Sequence, residues 1–432
     1  MDPTILAIGG FIFFLVLLFL GLPIVVAAGL VGGIGLLITV GLGQTLPYFE
    51  LIPYSEICLY SYTVFPLFIL MGSIAVEGGL ADNILEVTWK WVSRVPGGPA
   101  IVTVMTGAGF GAACGSNLAG AAMLTKLCYP IMKKYDYPDY FSTGCVAAAG
   151  NLVGLIPPST LMVLFGVITG TSIAKLLIAG ILPGILLAAL NSGAILLMGL
   201  RDSRLRARGV SASWRERFRS LAKIWGLLFV VVLVTGGLYV GIFTPTEAGS
   251  LGVLATMVVA AINKKLSVKM LYAAVIEAGV TTAKIFVIVI GVMLFNRFLI
   301  LGGVTSVVGN FLLSLTIPPY MIFSIVVLIY LILGCFMDGA SILFITLPLL
   351  FPIVTGLGYD PVWFGVCVNI LIGVGFITPP VGLNCFVVKG LLPEVPLAEI
   401  FRGAWPYVIT GVISIYILLI FPKIATFLPS LM

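Results

Sequence analysis

Residues 150–170 read GNLVGLIPPSTLMVLFGVITG, an apolar stretch with two adjacent prolines near its centre. Residues 373–392 read GVGFITPPVGLNCFVVKGLL and carry the same pair. A Pro-Pro pair removes two backbone donors and interrupts a helix. Two such segments, far apart in the chain, predict a helical protein that is built around interrupted helices.

The composition places these segments in a membrane. Of the 432 residues, 61% are hydrophobic and 9% are charged, and the mean hydropathy is +1.24. A soluble domain has about 25% charged residues. A membrane helix needs about 20 mostly apolar residues, so we expect about ten or more spans. Residues 1–30 show neither a basic start nor a clear cleavage site, and we interpret them as a first span that is retained.

Missing residue types exclude several kinds of chemistry. The chain has no histidine, the commonest general base and metal ligand. It has no GxxxxGK[ST] motif, so no P-loop ATPase site is expected. The seven cysteines form no CxxC pair, and we interpret them as buried small apolar residues. An enzyme would need a convergent cluster of acids, histidines or cysteines, so we predict no enzymatic activity.

One long polar stretch divides the chain. Residues 201–223 read RDSRLRARGVSASWRERFRSLAK and carry eight basic residues against two acidic ones. Basic loops remain in the cytoplasm, so this segment is predicted to be cytoplasmic. It is a topology signal at the membrane surface rather than a patch that binds nucleic acid.

The two halves of the chain repeat each other. An offset of 222 residues superposes Pro157-Pro158 on Pro379-Pro380. The same offset, within one residue, pairs further residues in the same order: Pro130 with Pro352, Phe141 with Phe364, Pro183 with Pro406, Gly111 with Gly334 and Cys114 with Met337. A colinear series over about 80 residues indicates duplication.

Duplicated breaks are typical of secondary transporters. In lipid every backbone polar group must be paired, so a broken helix survives only where its freed groups meet a partner. Transporters place such breaks at repeat interfaces, where carbonyls bind Na⁺ and helix N-termini face anionic groups. A single break could also be a simple kink between packed helices.

Polar residues inside apolar stretches are the candidate site residues. Ser116 and Asn117 follow the small-residue run GAGFGAACG and suit coordination of a hard cation, although packing alone explains most of this run. Asp338 is a charge in LILGCFMDGASILFITL. It is interpreted as a partner of Na⁺ or a proton, a polar anchor at a hairpin tip, or an interfacial acid.

Other charged residues are expected to have structural roles. Glu247, in FTPTEAGS, is predicted to lie in the first turn of a helix, where a carboxylate suits the helix dipole. Glu277, Lys284 and Arg297 are predicted near span ends, with side chains that reach toward the interface.

These residues lie in blocks that resemble the large membrane subunit (M, or DctM-type) of tripartite ATP-independent periplasmic (TRAP) transporters. The resemblance covers nearly the whole chain and includes GSNLAGAAMLTKLCYPIMKKYDY, GIFTPTEAGSLG, FMDGASILFITLPLLFPIVTGLGYDPVWFGV and both Pro-Pro blocks. It implies an all-α polytopic membrane protein of two inverted-topology repeats with re-entrant hairpins and broken helices. It also implies an elevator mechanism, in which a transport domain moves against a scaffold.

The resemblance implies a division of the chain. The expected parts are N-terminal scaffold helices at 1–80, the first transport repeat at 81–200, the basic cytoplasmic loop at 201–223, scaffold and connecting helices at 224–317, and the second transport repeat at 318–432. It also implies a bacterial inner membrane location, a periplasmic substrate-binding protein and a small membrane subunit, which is expected to be a separate polypeptide.

The resemblance also implies two Na⁺ sites with a substrate between them. The first would use Cys114, Asn117, Val153, Ile156 and Pro158, and the second Gly334, Met337, Gly375, Thr378 and Val381. The substrate would lie near Ser116, Asn117, Ser159, Asp338 and Asn384. Residues 114–117 read Cys-Gly-Ser-Asn, where the family usually has Ser-Gly-Ser-Ser. Asn151 stands where Thr or Ser is common. These departures change which side chains are available as ligands at the first Na⁺ site.

The expected function is therefore Na⁺-driven import of a small organic anion, such as a sialic acid or a C4-dicarboxylate, delivered by the binding protein. The alternative is an elevator-type anion transporter that works without a binding protein.

Overall fold

The computed structural model describes residues 2–205, 212–304, 307 and 318–432, and all regular secondary structure in these residues is helical. The first half contains α1 (Pro3–Phe19), α2 (Ile24–Val40), α3 (Leu42–Ile57), α4 (Val64–Glu77), α5 (Leu80–Val92), α6 (Gly98–Cys114), α7 (Asn117–Lys134), α8 (Asp139–Leu155), α9 (Thr160–Thr169), α10 (Ile173–Ala179) and α11 (Ile181–Arg201).

The second half continues the all-helical pattern. It contains α12 (Trp214–Leu221), α13 (Trp225–Val231), α14 (Gly237–Val240), α15 (Pro245–Ile262), α16 (Val268–Leu301), α17 (Pro319–Phe336), α18 (Gly339–Gly356), α19 (Pro361–Gly375), α20 (Leu383–Leu391), α21 (Leu397–Ile420) and α22 (Lys423–Ser430). Of the predicted parts of the chain, residues 206–211 of the basic loop and residues 305, 306 and 308–317 of the scaffold segment lie outside the described residues.

Several of the described helices are long enough to span a membrane. Within the described ranges, eight helices are long and apolar enough to cross a membrane, or nine if the bent pair α8 and α9 counts as one span. This count leaves out four shorter apolar helices and covers the described residues alone, so the expectation of ten or more spans stays a prediction. Further apolar helices, α6 and α19 among them, have 17 residues or fewer. Helices that stop at a hairpin tip or a break do not need the full length of a span.

The repeat is visible in the helix bounds. An offset of 222 residues carries α7 onto α18 at both ends and carries the first residue of α8 onto that of α19. Both helices end before a Pro-Pro pair, and both pairs contain a cis peptide bond. A β-carbon on Gly111 would lie 3.1 Å from Val153 Cα, and one on Gly334 would lie 2.8 Å from Gly375 Cα. The two halves therefore share the same close helix contact.

The centres of the repeats are buried on all sides. Residues 141–155 of α8 and 362–375 of α19 are all buried. The helix α8 packs against α6, α7 and α21, whereas α16 packs against α1, α2, α3 and α4. Helices that are apolar all round belong in the interior of a bundle. The repeats thus form one helical group, and α1–α4 with α15 and α16 form another beside it.

The helices α15 and α16 carry the charged residues for which the sequence predicted structural roles. Glu247 and Thr244 form a capping box at the start of α15, which confirms the predicted structural role of Glu247. Glu277 and Lys284 lie inside the 34-residue α16, and their predicted position near the ends of a membrane span stays a prediction. A helix of 34 residues is about 51 Å long, well beyond the membrane thickness. Arg297 lies near its end, 5.2 Å from the centre of the Tyr48 ring.

An ion-pair cluster ties α5 to the C-terminal part of the basic loop. Glu86 accepts hydrogen bonds from Lys223 Nζ at 2.6 Å and from Lys90 Nζ at 2.7 Å. The hydrogen bond from Lys223, followed by that from Lys90, holds the pKa of Glu86 below its usual value. The Trp91 indole also donates a 3.3 Å hydrogen bond to the Arg217 carbonyl. These contacts anchor α12 on α5.

Candidate functional site

The first hairpin tip lies between α6 and α7. The helix α6 ends at Cys114, Gly115 follows with φ +66°, and Ser116 caps α7 by accepting a 3.4 Å hydrogen bond from the Ala119 amide. A β-carbon on Gly115 would lie 1.9 Å from the Pro158 carbonyl oxygen. Glycine is therefore needed here for both the left-handed backbone and the close approach to the break.

The first break is bonded to this tip. Ser159 caps α9 and donates a 2.5 Å hydrogen bond to the Gly154 carbonyl. Thr160 donates from its amide and from its hydroxyl to the Gly115 carbonyl, at 3.3 and 3.1 Å. Polar groups at the break thus find partners both within the break and at the tip, as a break in lipid requires.

Asn117, the first residue of α7, has an unusual environment. Its side chain is 5% exposed, and neither amide atom has a hydrogen-bond partner within the described residues. The amide lies against α8, because a β-carbon on Gly154 would come 1.2 Å from Asn117 Oδ1. A buried, unpaired amide is costly and calls for an explanation. Its oxygen is a suitable ligand for a hard cation.

The second tip repeats the arrangement of the first. Met337 follows α17, and Asp338 caps α18 by accepting hydrogen bonds from the amide of Ser341, at 3.1 Å, and from its hydroxyl. The Gly382 amide, at the start of α20, donates to the Cys335 carbonyl at 3.2 Å. In the break, Thr378 Oγ1 donates to the Val374 carbonyl at 2.7 Å.

The structure gathers each predicted ion-binding set in one place. In the first set, Cys114 and Asn117 lie at the tip, and Val153, Ile156 and Pro158 lie at the end of α8 and in the break against it. In the second set, Gly334 contacts Gly375 across α17 and α19, while Met337 lies at the tip and Thr378 and Val381 lie in the break. Whether these residues bind ions stays a prediction.

The predicted substrate set divides into two groups. Ser116, Asn117 and Asp338 line a cavity of about 180 Å³. Ser159 and Asn384 are fully buried instead and do not line it. They belong to a network of amides that joins the repeats.

In this network Asn384 Nδ2 donates to Asn151 Oδ1 at 2.9 Å and to the Ala147 carbonyl at 3.0 Å. Asn369 Nδ2 donates to Ser159 Oγ at 2.9 Å and to the Gly154 carbonyl at 3.1 Å. Both donors belong to the second repeat, and all four acceptors belong to the first.

Three helix N-termini meet at the 180 Å³ cavity. Ser116 and Asn117 begin α7, Thr160 begins α9, and Gly339 begins α18. Each N-terminus carries a partial positive charge of about half an elementary charge. The Asp338 carboxylate already caps α18, so the N-termini of α7 and α9 are the two that remain available to an anionic group.

Two features escaped the sequence analysis. Lys126 lines a second cavity of about 340 Å³ together with Ser116 and Ala119. The helical spacing of residues 116, 119 and 126 on one face of α7 could have revealed it. Asn369 gave a weaker signal, as the one polar side chain within PVWFGVCVNILIGVG.

Comparison with known proteins identifies the class. Residues 11–424 match the sequence model of the family described as "Tripartite ATP-independent periplasmic transporter, DctM component". The chain belongs to this family, which confirms the resemblance noted in the sequence. It is a multi-pass membrane permease of a secondary uptake system that works with a substrate-binding protein.

Individual relatives are also TRAP transporter permeases. The chain is 34% identical over 367 residues to a C4-dicarboxylate TRAP transporter large permease of Pseudomonas aeruginosa, covering 84% of this chain and 83% of that one. It is 32% identical over 374 residues to the 2,3-diketo-L-gulonate TRAP transporter large permease of Escherichia coli, covering 86% and 85%. It is 34% identical over 332 residues to an isethionate TRAP transporter permease, DctMQ, of Oleidesulfovibrio alaskensis, covering 76% and 51%.

A solved structure shares the fold. The crystal structure of the Alcanivorax borkumensis YdaH transporter, described as having an unusual topology, superposes with a TM-score of 0.65. The alignment covers 97% of this chain and 98% of that one at 16% identity. The all-α polytopic fold is therefore one already known among transporters.

Proposed function

We propose that this chain imports a small organic anion together with Na⁺ by an elevator movement of its two repeats. The observation that carries the proposal is the 180 Å³ cavity, where N-termini from both repeats meet the unpaired amide of Asn117. Such a cavity offers the N-termini of α7 and α9 to an anion and the Asn117 amide oxygen to a cation.

The Na⁺ ions would be carried in the two sets of residues at the tips and breaks. Asn117 Oδ1 makes no hydrogen bond within the described chain, so it is available as a ligand of the first ion. Thr378 Oγ1 uses its proton toward Val374, so its lone pairs are available to the second. The tips belong to both repeats, which supports two symmetric sites.

The proposed substrate class rests on the cavity and on the relatives. The substrates in the three relatives' names are a C4-dicarboxylate, 2,3-diketo-L-gulonate and isethionate, and each of these is an organic acid. A carboxylate or sulfonate would suit the N-termini of α7 and α9. We therefore propose a small organic acid, without assigning one.

The proposed movement follows from where the cavities lie. Both cavities are lined by residues of α4 and α16 on one side and of α7 and α9 on the other. We propose that segments 81–200 and 318–432 form the moving transport domain and that segments 1–80 and 224–317 form the scaffold. A small membrane subunit, fused or separate, would complete that scaffold in the inner membrane.

Uptake into proteoliposomes tests this function. The chain, its small subunit and its binding protein would be reconstituted, with the acid chosen by screening the binding protein against succinate, isethionate and 2,3-diketogulonate. We expect accumulation with an inward Na⁺ gradient and loss of accumulation when K⁺ replaces Na⁺. Uptake that is equal in K⁺ would refute the coupling. Equal uptake without the binding protein would favour the stand-alone alternative.

A further inference from the structure

The larger cavity is a groove between three helices. It measures about 340 Å³ and is walled by one face each of α4, α7 and α16. It adjoins the smaller cavity, because the two share the residues Ser116, Thr160, Thr281 and Ile285. The groove therefore lies directly beside the first hairpin tip.

The groove carries three charged side chains. Lys126 lies on α7, whereas Glu77 lies on α4 and Glu277 on α16. Lys126 is the one basic residue among the described residues that line either cavity. Throughout the described part of the chain, no carboxylate lies within 4.0 Å of its ammonium group.

The position of Lys126 suits contact with a carried anion. It is nine residues beyond Asn117 on the same helix, which corresponds to about 13 Å along the axis. Its side chain is exposed, so the ammonium group is open to a dissolved anion. The two carboxylates that share the groove belong to the opposite helices and do not pair with it.

We propose that Lys126 is the anion-binding residue of this groove, where it contacts the acidic group of the carried organic acid between the hairpin tips and the solvent. The inference rests on the proposed function and adds a residue to it. Glu77 and Glu277 oppose Lys126, because their charges repel the same anion and so favour its release.

Thiol labelling tests the charge without knowledge of the substrate. Ala122 lies one turn before Lys126 and lines the groove, so Ala122→Cys places a thiol there. Full-length protein in liposomes would be treated with an anionic sulfonatoethyl methanethiosulfonate or with a neutral methyl methanethiosulfonate. Mass spectrometry would follow the modification of residue 122 alone. The measured quantity is the ratio of the anionic rate to the neutral rate.

We expect Lys126→Gln to lower this ratio about three- to tenfold, since a unit charge within about 6 Å changes a local anion concentration by that order. Lys126→Arg should preserve it. The matched control is Lys134→Gln, which removes an exposed lysine of the same helix that does not line the groove. An unchanged ratio in Lys126→Gln, or an equal drop in Lys134→Gln, would overturn the proposal.

A second variant separates position from net charge. Lys126→Gln combined with Glu77→Gln keeps the net charge of the groove, yet we expect a lowered ratio because no cation remains beside residue 122. A wild-type ratio in this double variant would show that only net charge matters and would refute the assignment. Labelling needs no transport, so failure of uptake with a normal ratio would count against the proposed function alone.

Discussion

The amide oxygen of Asn117 occupies the space beside Gly154 where any other residue would place its side chain. A β-carbon on Gly154 would come 1.2 Å from Asn117 Oδ1. Gly154 has an ordinary helical backbone, so it is needed for this contact and not for its backbone freedom. The tip of the first hairpin and the end of α8 are therefore fitted to each other through one side chain.

Gly154→Ala should displace the Asn117 amide and raise the Na⁺ concentration needed for half-maximal uptake by tenfold or more. The physical reason is steric, since a contact of 1.2 Å cannot be accommodated without moving the side chain. Uptake measured over a range of Na⁺ concentrations gives this half-maximal value. Gly43→Ala is the matched control, because a β-carbon there meets no atom within 4 Å. An unchanged Na⁺ dependence in Gly154→Ala would show that Asn117 is not a ligand.

Asn117→Ala should separate stability from Na⁺ binding. It removes a buried amide without hydrogen bonds, so the Na⁺-free protein should be as stable as wild type or more stable by about 1 kcal/mol. The increase in melting temperature on replacing KCl with NaCl should shrink, because a bound ion stabilises only the folded state. Thr125→Ala, on the same helix, should retain the full increase. A full increase in Asn117→Ala would contradict the proposed site.

Asn384→Ala should reduce stability without changing the KM for substrate. Asn384 is fully buried and donates to Asn151 and Ala147, so its loss leaves buried acceptors unpaired at a cost of about 1–3 kcal/mol. Thermal unfolding and uptake kinetics provide the two measurements. Phe386→Ala, an exposed position on the same helix, serves as the control. A raised KM with unchanged stability would restore Asn384 to the substrate site.

Asp338→Asn should retain most transport, whereas Asp338→Ala should lose about 1 kcal/mol of stability and much of its transport. Asparagine caps a helix about as well as aspartate, and alanine does not. Ser341→Ala should lose less stability than Asp338→Ala, because it removes the hydroxyl partner of Asp338 and keeps the amide hydrogen bond of the cap. Uptake and melting temperature would be compared in all three variants. If Asp338→Asn is stable but inactive, the negative charge itself serves transport.

Glu86→Gln should loosen α12 from α5 and speed tryptic cleavage near Lys223 about two- to fivefold. Exposed ion pairs contribute about 0.2–1 kcal/mol. The pKa of Glu86 lies below its usual value because Lys223 and Lys90 donate to it. Its contribution is therefore fully present above the ordinary pKa of about 4.3 and is lost as the pH falls through the lower, folded-state pKa.

The cleavage rates would be measured between pH 7 and 8, where the Glu86 carboxylate stays ionised and the difference between variant and wild type should not depend on pH. Glu394→Gln changes an exposed carboxylate without an ion pair in the described part of the chain and should cleave at the wild-type rate. Equal cleavage of Glu86→Gln and wild type would show that the ion pairs do not hold α12.

The sequence by itself determined the membrane location, the duplication and the position of both breaks. These follow from local chemistry: apolar composition requires lipid, and adjacent prolines interrupt a helix wherever they occur. The offset of 222 residues predicted from Pro157 and Pro379 reappears in the helix bounds. Asn117 and Asp338 stood out as polar residues in apolar stretches, and both line the 180 Å³ cavity.

Only the tertiary structure decided which of these residues face the cavity and which face each other. Asn384 and Asn117 are both buried amides, yet one donates to the first repeat and the other is unpaired. Asn384 and Asn151 are 233 residues apart, and sequence spacing does not encode such a contact. The groove around Lys126 exists only because α4 and α16 pack opposite α7, since a cavity belongs to several helices at once.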